Sequence, residues 1–118
     1  MRIDLPQIEE AQREICKRHG AAFERSSPEA MSGMATATRG ELPVNGLRHP
    51  STGKTTGWFL WFGEELSEDA DFFKPVCTRH IYEEQPEIAP LLGLPPGYRF
   101  LRAGGYLDVW IDATLLDV

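Results

Sequence analysis

The run Gly57-Trp58-Phe59-Leu60-Trp61-Phe62-Gly63 constrains this chain more than any other segment. Five large apolar side chains stand between two glycines, without a charge among them. A half-exposed strand alternates apolar with polar residues. One that is apolar at every position is buried on both faces and belongs in the middle of a sheet. Alternation then sends Trp58, Leu60 and Phe62 to one side, and Phe59 and Trp61 to the other.

The flanking segments read as helices and a hairpin. Asp4 caps a first helix, Gln7 completes a capping box and Pro6 fits its first turn. Ile8, Ala11, Ile15 and His19 recur at helical spacing against a charged face, and Gly20 is the stop. Residues 21–46 are weakly patterned. They hold either a mobile connection or an edge strand, with Met34 to Thr38 as a short strand candidate. Glu64 to Asp71 reads as an acidic loop, with a helical turn starting at Ser67 and Phe72-Phe73 anchoring the chain back into the core. From Cys77 the pattern turns helical, and Pro86 opens a second short helix through Leu92, stopped by Gly93.

Gly104-Gly105 closes a hairpin that sets Arg99 opposite Trp110, Phe100 opposite Val109 and Leu101 opposite Asp108. Tyr98, Phe100, Val109 and Ile111 then share the core face, and Arg99 lies across from Trp110 and diagonal to Asp108, where stacking and ion pairing can both hold its guanidinium. The element order predicts an α+β fold: residues 1–118 as one domain, a largely antiparallel sheet with a central aromatic strand, an N-terminal amphipathic helix and a C-terminal hairpin. Within it, residues 1–45 hold the helix and the weakly patterned connection.

At 118 residues and 42% hydrophobic content, the chain can bury roughly two-thirds of its unfolded surface without a disulfide or metal. No apolar run reaches the ~20 residues of a membrane span. The first residues lack a signal-peptide core, so a cytoplasmic protein is expected. Net charge is −6, unevenly spread. Residues 1–63 carry 7 acids and 8 bases, residues 64–87 carry 8 and 2, and residues 88–118 carry 3 and 2. One stretch thus holds the whole imbalance. Its field repels phosphate backbones and favours a basic partner, which argues against nucleic acid. Solvated, solubilising surface is the plainer explanation.

Motifs for chemistry are thin. Gly53-Lys54-Thr55 lacks the glycine five residues earlier that a phosphate loop needs, since position 48 is an arginine. Cys16 with His19 and Cys77 with His80 form two Cys-x-x-His steps, and two thiolates with two imidazoles suit tetrahedral zinc. A cysteine is as readily a small buried hydrophobe. No nucleophile elbow occurs, and the pairs Glu64-Glu65 and Glu83-Glu84 lie in wet, acidic surroundings that do not poise a general acid. No catalytic residue and no cofactor are assigned.

The segments Gly46-Leu47-Arg48-His49-Pro50, Gly57 to Glu64, Asp71-Phe72-Phe73-Lys74-Pro75, Pro86 to Leu101 and Asp108-Val109-Trp110-Ile111-Asp112 together resemble bacterial immunity proteins of polymorphic toxin systems. The likeness is to the thirty-third numbered immunity class or a close relative, and it covers residues 46–118. Residues 1–45 match nothing in it. His80 agrees with the family pattern, whereas Cys77 stands where histidine is commoner. The resemblance implies a non-enzymatic cytoplasmic inhibitor that binds a toxin domain encoded nearby. Joined to the charge census, it makes Glu64, Glu65, Glu68, Asp69, Asp71, Glu83 and Glu84 the candidate partner-binding residues. The alternatives are a metal-binding domain using Cys16, His19, Cys77 and His80, and an enzyme or small-molecule binder built on Trp58, Trp61 and Trp110.

Overall fold

A computed structural model describes residues 3–117. Helix α1 runs Leu5–Arg18, capped by the Asp4 carboxylate, which accepts the Gln7 N–H at 3.2 Å. Its buried side chains are Gln12 and Cys16, with Ile8 and Ile15 partly covered. His19, expected on the apolar stripe, lies past the last turn and is exposed.

Six strands follow: β1 Met31–Met34, β2 Val44–Arg48, β3 Thr55–Phe62, β4 Lys74–Cys77, β5 Tyr98–Ala103 and β6 Tyr106–Ile111. Helix α2, Thr78–Glu84, continues directly from β4. Three short 3₁₀ turns complete the fold, at Thr36–Thr38, Ala89–Gly93 and Ala113–Leu116.

The sheet order is β4-β1-β3-β2-β5-β6, so the aromatic strand β3 is internal as expected. All neighbours are antiparallel except β1 and β3, which run parallel. The weakly patterned segment does hold a strand, yet at Met31–Met34 and not Met34–Thr38, and it is interior, not an edge. Two facts hid it. Ser32 and Gly33 break any apolar pattern, and Gly33 is required because the Phe59 ring lies across it, 2.7 Å from where a Cβ would stand. The helix expected from Pro86 is instead a turn followed by the 3₁₀ segment Ala89–Gly93. No helical turn forms at Ser67; its hydroxyl accepts the Asp69 N–H in a local loop bend.

The hairpin register is the expected one along its whole length, from Tyr98 opposite Ile111 to Ala103 opposite Tyr106. Gly104 takes φ +58°, the positive value a two-residue turn demands. Phe100 is buried, and Tyr98 and Val109 pack on the core, whereas Ile111 is 65% exposed. Ile111 shares their face but sits at the end of the outermost strand, beyond the reach of the helices. Arg99 stacks near Trp110 and Trp61, its guanidinium carbon 5.6 and 6.0 Å from the rings. Its ion pair is with Asp112 at 3.2 Å, not with Asp108.

One face of the sheet carries Trp58, Leu60, Phe62, Met34, Val44 and Phe100 under α1, α2 and the 89–93 turn. Polar groups stitch this face together. Arg48 is fully buried. Its Nε donates to the Thr56 carbonyl at 2.8 Å, and its Nη1 to the carbonyls of Glu24 and Leu94 at 2.9 and 2.8 Å. Nη2 donates to the Arg25 carbonyl at 3.2 Å. Burial depresses the Arg48 pKa, and the Glu24 carboxylate, 3.6 Å from Nη2, opposes that shift. Beside it the Trp58 indole N–H meets the Leu92 carbonyl, and the Tyr82 hydroxyl donates to the Ser26 carbonyl at 2.6 Å while accepting from Gln12. These bonds pin residues 24–26, which have no regular structure of their own.

Candidate protein-binding surface

β3 ends at Phe62, and the chain then makes a long excursion, residues 63–73, before β4 begins. Phe72 and Phe73 bring it back. Phe73 sets its ring edge-on to Phe59 and Trp61, at centroid distances of 5.2 and 6.2 Å, and Phe72 stacks edge-on against Phe73 at 4.9 Å. The loop is therefore anchored on the second face of the sheet, opposite the helices. Glu64, Glu65, Glu68, Asp69 and Asp71 are all exposed along it, and so is Leu66.

Pairing of β2 with β3 sets Val44 opposite Phe62 and so brings the chain before β2 alongside this loop. Glu41 lies against Gly63, and Leu42 is 63% exposed. Together they complete a groove of about 460 Å³ in which Glu41, Glu64 and Glu65 surround the exposed Leu42 and the half-buried Phe72, with the edge of the buried Phe62 at its base. Carboxylates ringing an exposed leucine and a half-buried phenylalanine suit a protein partner: the charge draws a basic surface in, and the apolar centre gives the contact something to bury. Glu41 and Leu42 were invisible in the charge census because they lie more than twenty positions from the acidic run and join it only through strand pairing.

The remaining candidates sit elsewhere. Glu84 belongs to α2 and pairs with Arg39 at 3.5 Å, and Glu83 lines the cleft between α1 and α2. The acidic stretch is thus two groups on different elements; of the loop group, Glu64 and Glu65 line the groove, and Glu68, Asp69 and Asp71 are exposed farther along the loop.

The zinc reading fails on geometry. Cys16 is buried against the 89–93 turn, with its thiol on the Gly93 carbonyl at 3.3 Å, and burial pushes its pKa up, away from the thiolate a metal needs. Cys77 donates to the Pro28 carbonyl at 3.0 Å, while His19 and His80 are exposed. Among the described residues, no three His, Cys, Asp or Glu side chains are arranged to hold a metal ion. A site built on the three tryptophans fails too, because Trp58 lies under the helices and Trp61 and Trp110 flank Arg99 on the other face. Among the described residues, no helix is long and apolar enough to cross a membrane.

No curated protein and no solved structure matches this chain. A family model, the Imm33-like domain, matches residues 11–112, so the likeness begins inside α1 and takes in residues 11–45, which lie outside the resemblance over 46–118. With the second half of α1, the whole sheet and the acidic loop inside that match, the chain belongs to the Imm33-like domain family.

Proposed function

We propose that this chain is a non-enzymatic immunity protein of the bacterial cytoplasm, which binds a toxin domain encoded beside it and blocks the toxin through the 63–73 loop. The observation that carries the reading is the groove of Glu41, Glu64 and Glu65 around Leu42 and Phe72. Toxins that act on nucleic acids need basic substrate grooves. A carboxylate-ringed surface competes for such a groove by standing in for phosphate, and long-range attraction speeds the encounter. The two phenylalanines that clamp the loop to the sheet keep its carboxylates presented rather than trailing in solvent, which lowers the ordering cost of binding.

The test is association with the toxin domain from the adjacent reading frame. Neutralising Glu64, Glu65, Glu68 and Asp69 together, as Gln, Gln, Gln and Asn, should slow association by about tenfold or more at low salt and flatten its salt dependence. The dissociation rate should move less. Binding at the wild-type rate in low salt would make the loop merely solubilising surface and place the interface elsewhere.

A further inference from the structure

The two edges of the sheet are finished differently. β4 spans only Lys74–Cys77 and carries a lysine and a proline, both of which resist addition of another strand. β6 has neither. It keeps unbroken register with β5 over six residues, and its only charge is Asp108. Tyr106, Leu107, Trp110 and Ile111 are exposed on it, at 59, 36, 36 and 65%.

Its backbone is equally unprotected. In a two-residue hairpin the residues flanking the turn form a hydrogen-bonded pair, here Ala103 with Tyr106. Tyr106, Asp108 and Trp110 therefore spend their N–H and C=O groups on β5, and the Asp112 N–H continues the alternation onto the Gly97 carbonyl at 2.7 Å. Leu107, Val109 and Ile111 point theirs outward, and among the described residues no strand lies beyond β6 to receive them.

We propose that a second copy of this chain pairs with this edge, antiparallel about a two-fold axis through Val109, so that two six-stranded sheets become one. The self-complementarity of the strand argues for this occupant. About Val109, Leu107 faces the partner's Ile111, aliphatic against aliphatic. On the opposite face Asp108 meets the partner's Trp110, a carboxylate against an indole N–H donor. Both pairs recur by symmetry. The neighbouring register, centred on Asp108, would set two aspartates directly across from each other, which is destabilising. The axis at Val109 avoids that clash and uses every outward backbone group from Leu107 to Ile111. The 63–73 loop leads to β4 at the other edge, so pairing leaves it free, and this inference stands apart from the toxin reading.

Light scattering coupled to size exclusion tests it on the full chain. The wild type should show about twice its 13.3 kDa mass, at protein concentrations up to about 0.1 mM. Substituting Leu107→Lys with Ile111→Lys puts lysine opposite lysine and should return the monomer mass. Combining Leu107→Glu with Ile111→Lys puts glutamate opposite lysine at both ends and should restore the dimer. Thermal melts establish that each variant folds; should the double-lysine variant not fold, Ile111→Lys alone replaces it and should weaken the dimer. A monomeric wild type overturns the proposal, as does a dimer indifferent to the lysines. A charge-swapped variant that stays monomeric overturns the Val109 axis.

Discussion

The two faces of the sheet are covered by different means. Under the helices, Trp58, Leu60, Phe62 and Phe100 are sealed nearly dry, and the Arg48 guanidinium and Trp58 indole N–H donate to backbone carbonyls there. The other face is closed by side chains from loops: Phe72 and Phe73 from the acidic excursion, His49 edge-on to Phe59, and Leu115 from the last 3₁₀ turn. There Phe59 is only partly buried and Arg99 is held between indoles at the margin. The helix face supplies the stability, and the loop face is where a surface can change without unmaking the core. The presence of the acidic groove at the margin of the lightly covered face follows from that division.

The strongest way to break the comparison is Arg48→Met. It removes the donors to the carbonyls of Thr56, Glu24 and Leu94, and orphaned buried acceptors at ~1–3 kcal/mol each make a loss of about 5 kcal/mol in urea unfolding. Arg48→Lys should rescue little, because one ammonium cannot span the positions a guanidinium fork reaches.

Next come the two neighbours on β3. Trp58→Ala should cost about 4 to 5 kcal/mol and Phe59→Ala about 3; equal losses would mean that both faces are equally sealed. Phe73→Ala should cost about 1 to 2 kcal/mol by unclamping the loop, and limited proteolysis should then cut within residues 63–73. Neutralising the four loop carboxylates should change stability by less than about 0.5 kcal/mol, since exposed charges contribute little. Salt sharpens the picture further. It should weaken toxin association through the acidic loop but favour self-association through β6, where two chains of net charge −6 repel each other.

How much of this was legible in the sequence depended on whether a residue's environment is made locally. The β3 run and the Gly104-Gly105 hairpin declare themselves because their signals lie within a few positions. Arg48 does not. An arginine in a strand reads as a surface residue, and its burial depends on carbonyls at positions 24, 56 and 94 that converge only once the sheet and the 89–93 turn are assembled. Gly33 looked like a break in structure and is instead the place where the Phe59 ring passes. For the candidate surface, the exposure of Glu64 to Asp71 followed from charge density, whereas Glu41 and Leu42 needed the Val44–Phe62 pairing to become visible. The Asp108 partner expected for Arg99 was a nearest-neighbour inference. Asp112 succeeds because its carboxylate is oriented by the Thr114 N–H and hydroxyl.

The arginine at position 48 also bears on how a chain of this kind can vary. Its shortest contacts are to main-chain oxygens, those of Thr56, Leu94 and Glu24. Such contacts read the path of the backbone and are blind to what each position displays. Residues 25, 92 and 94 are therefore free to exchange side chains as packing allows, provided the path is kept, whereas Glu24 also sets its carboxylate 3.6 Å from the guanidinium; a single insertion or deletion between 24 and 26 would carry a carbonyl out of register with Arg48. A lineage built this way tolerates rewriting of letters far better than changes of length in that segment, and its length variation belongs in residues 64–71, past the Gly63 carbonyl that the buried Asn45 amide holds at 2.9 Å, where only exposed side chains bond the backbone.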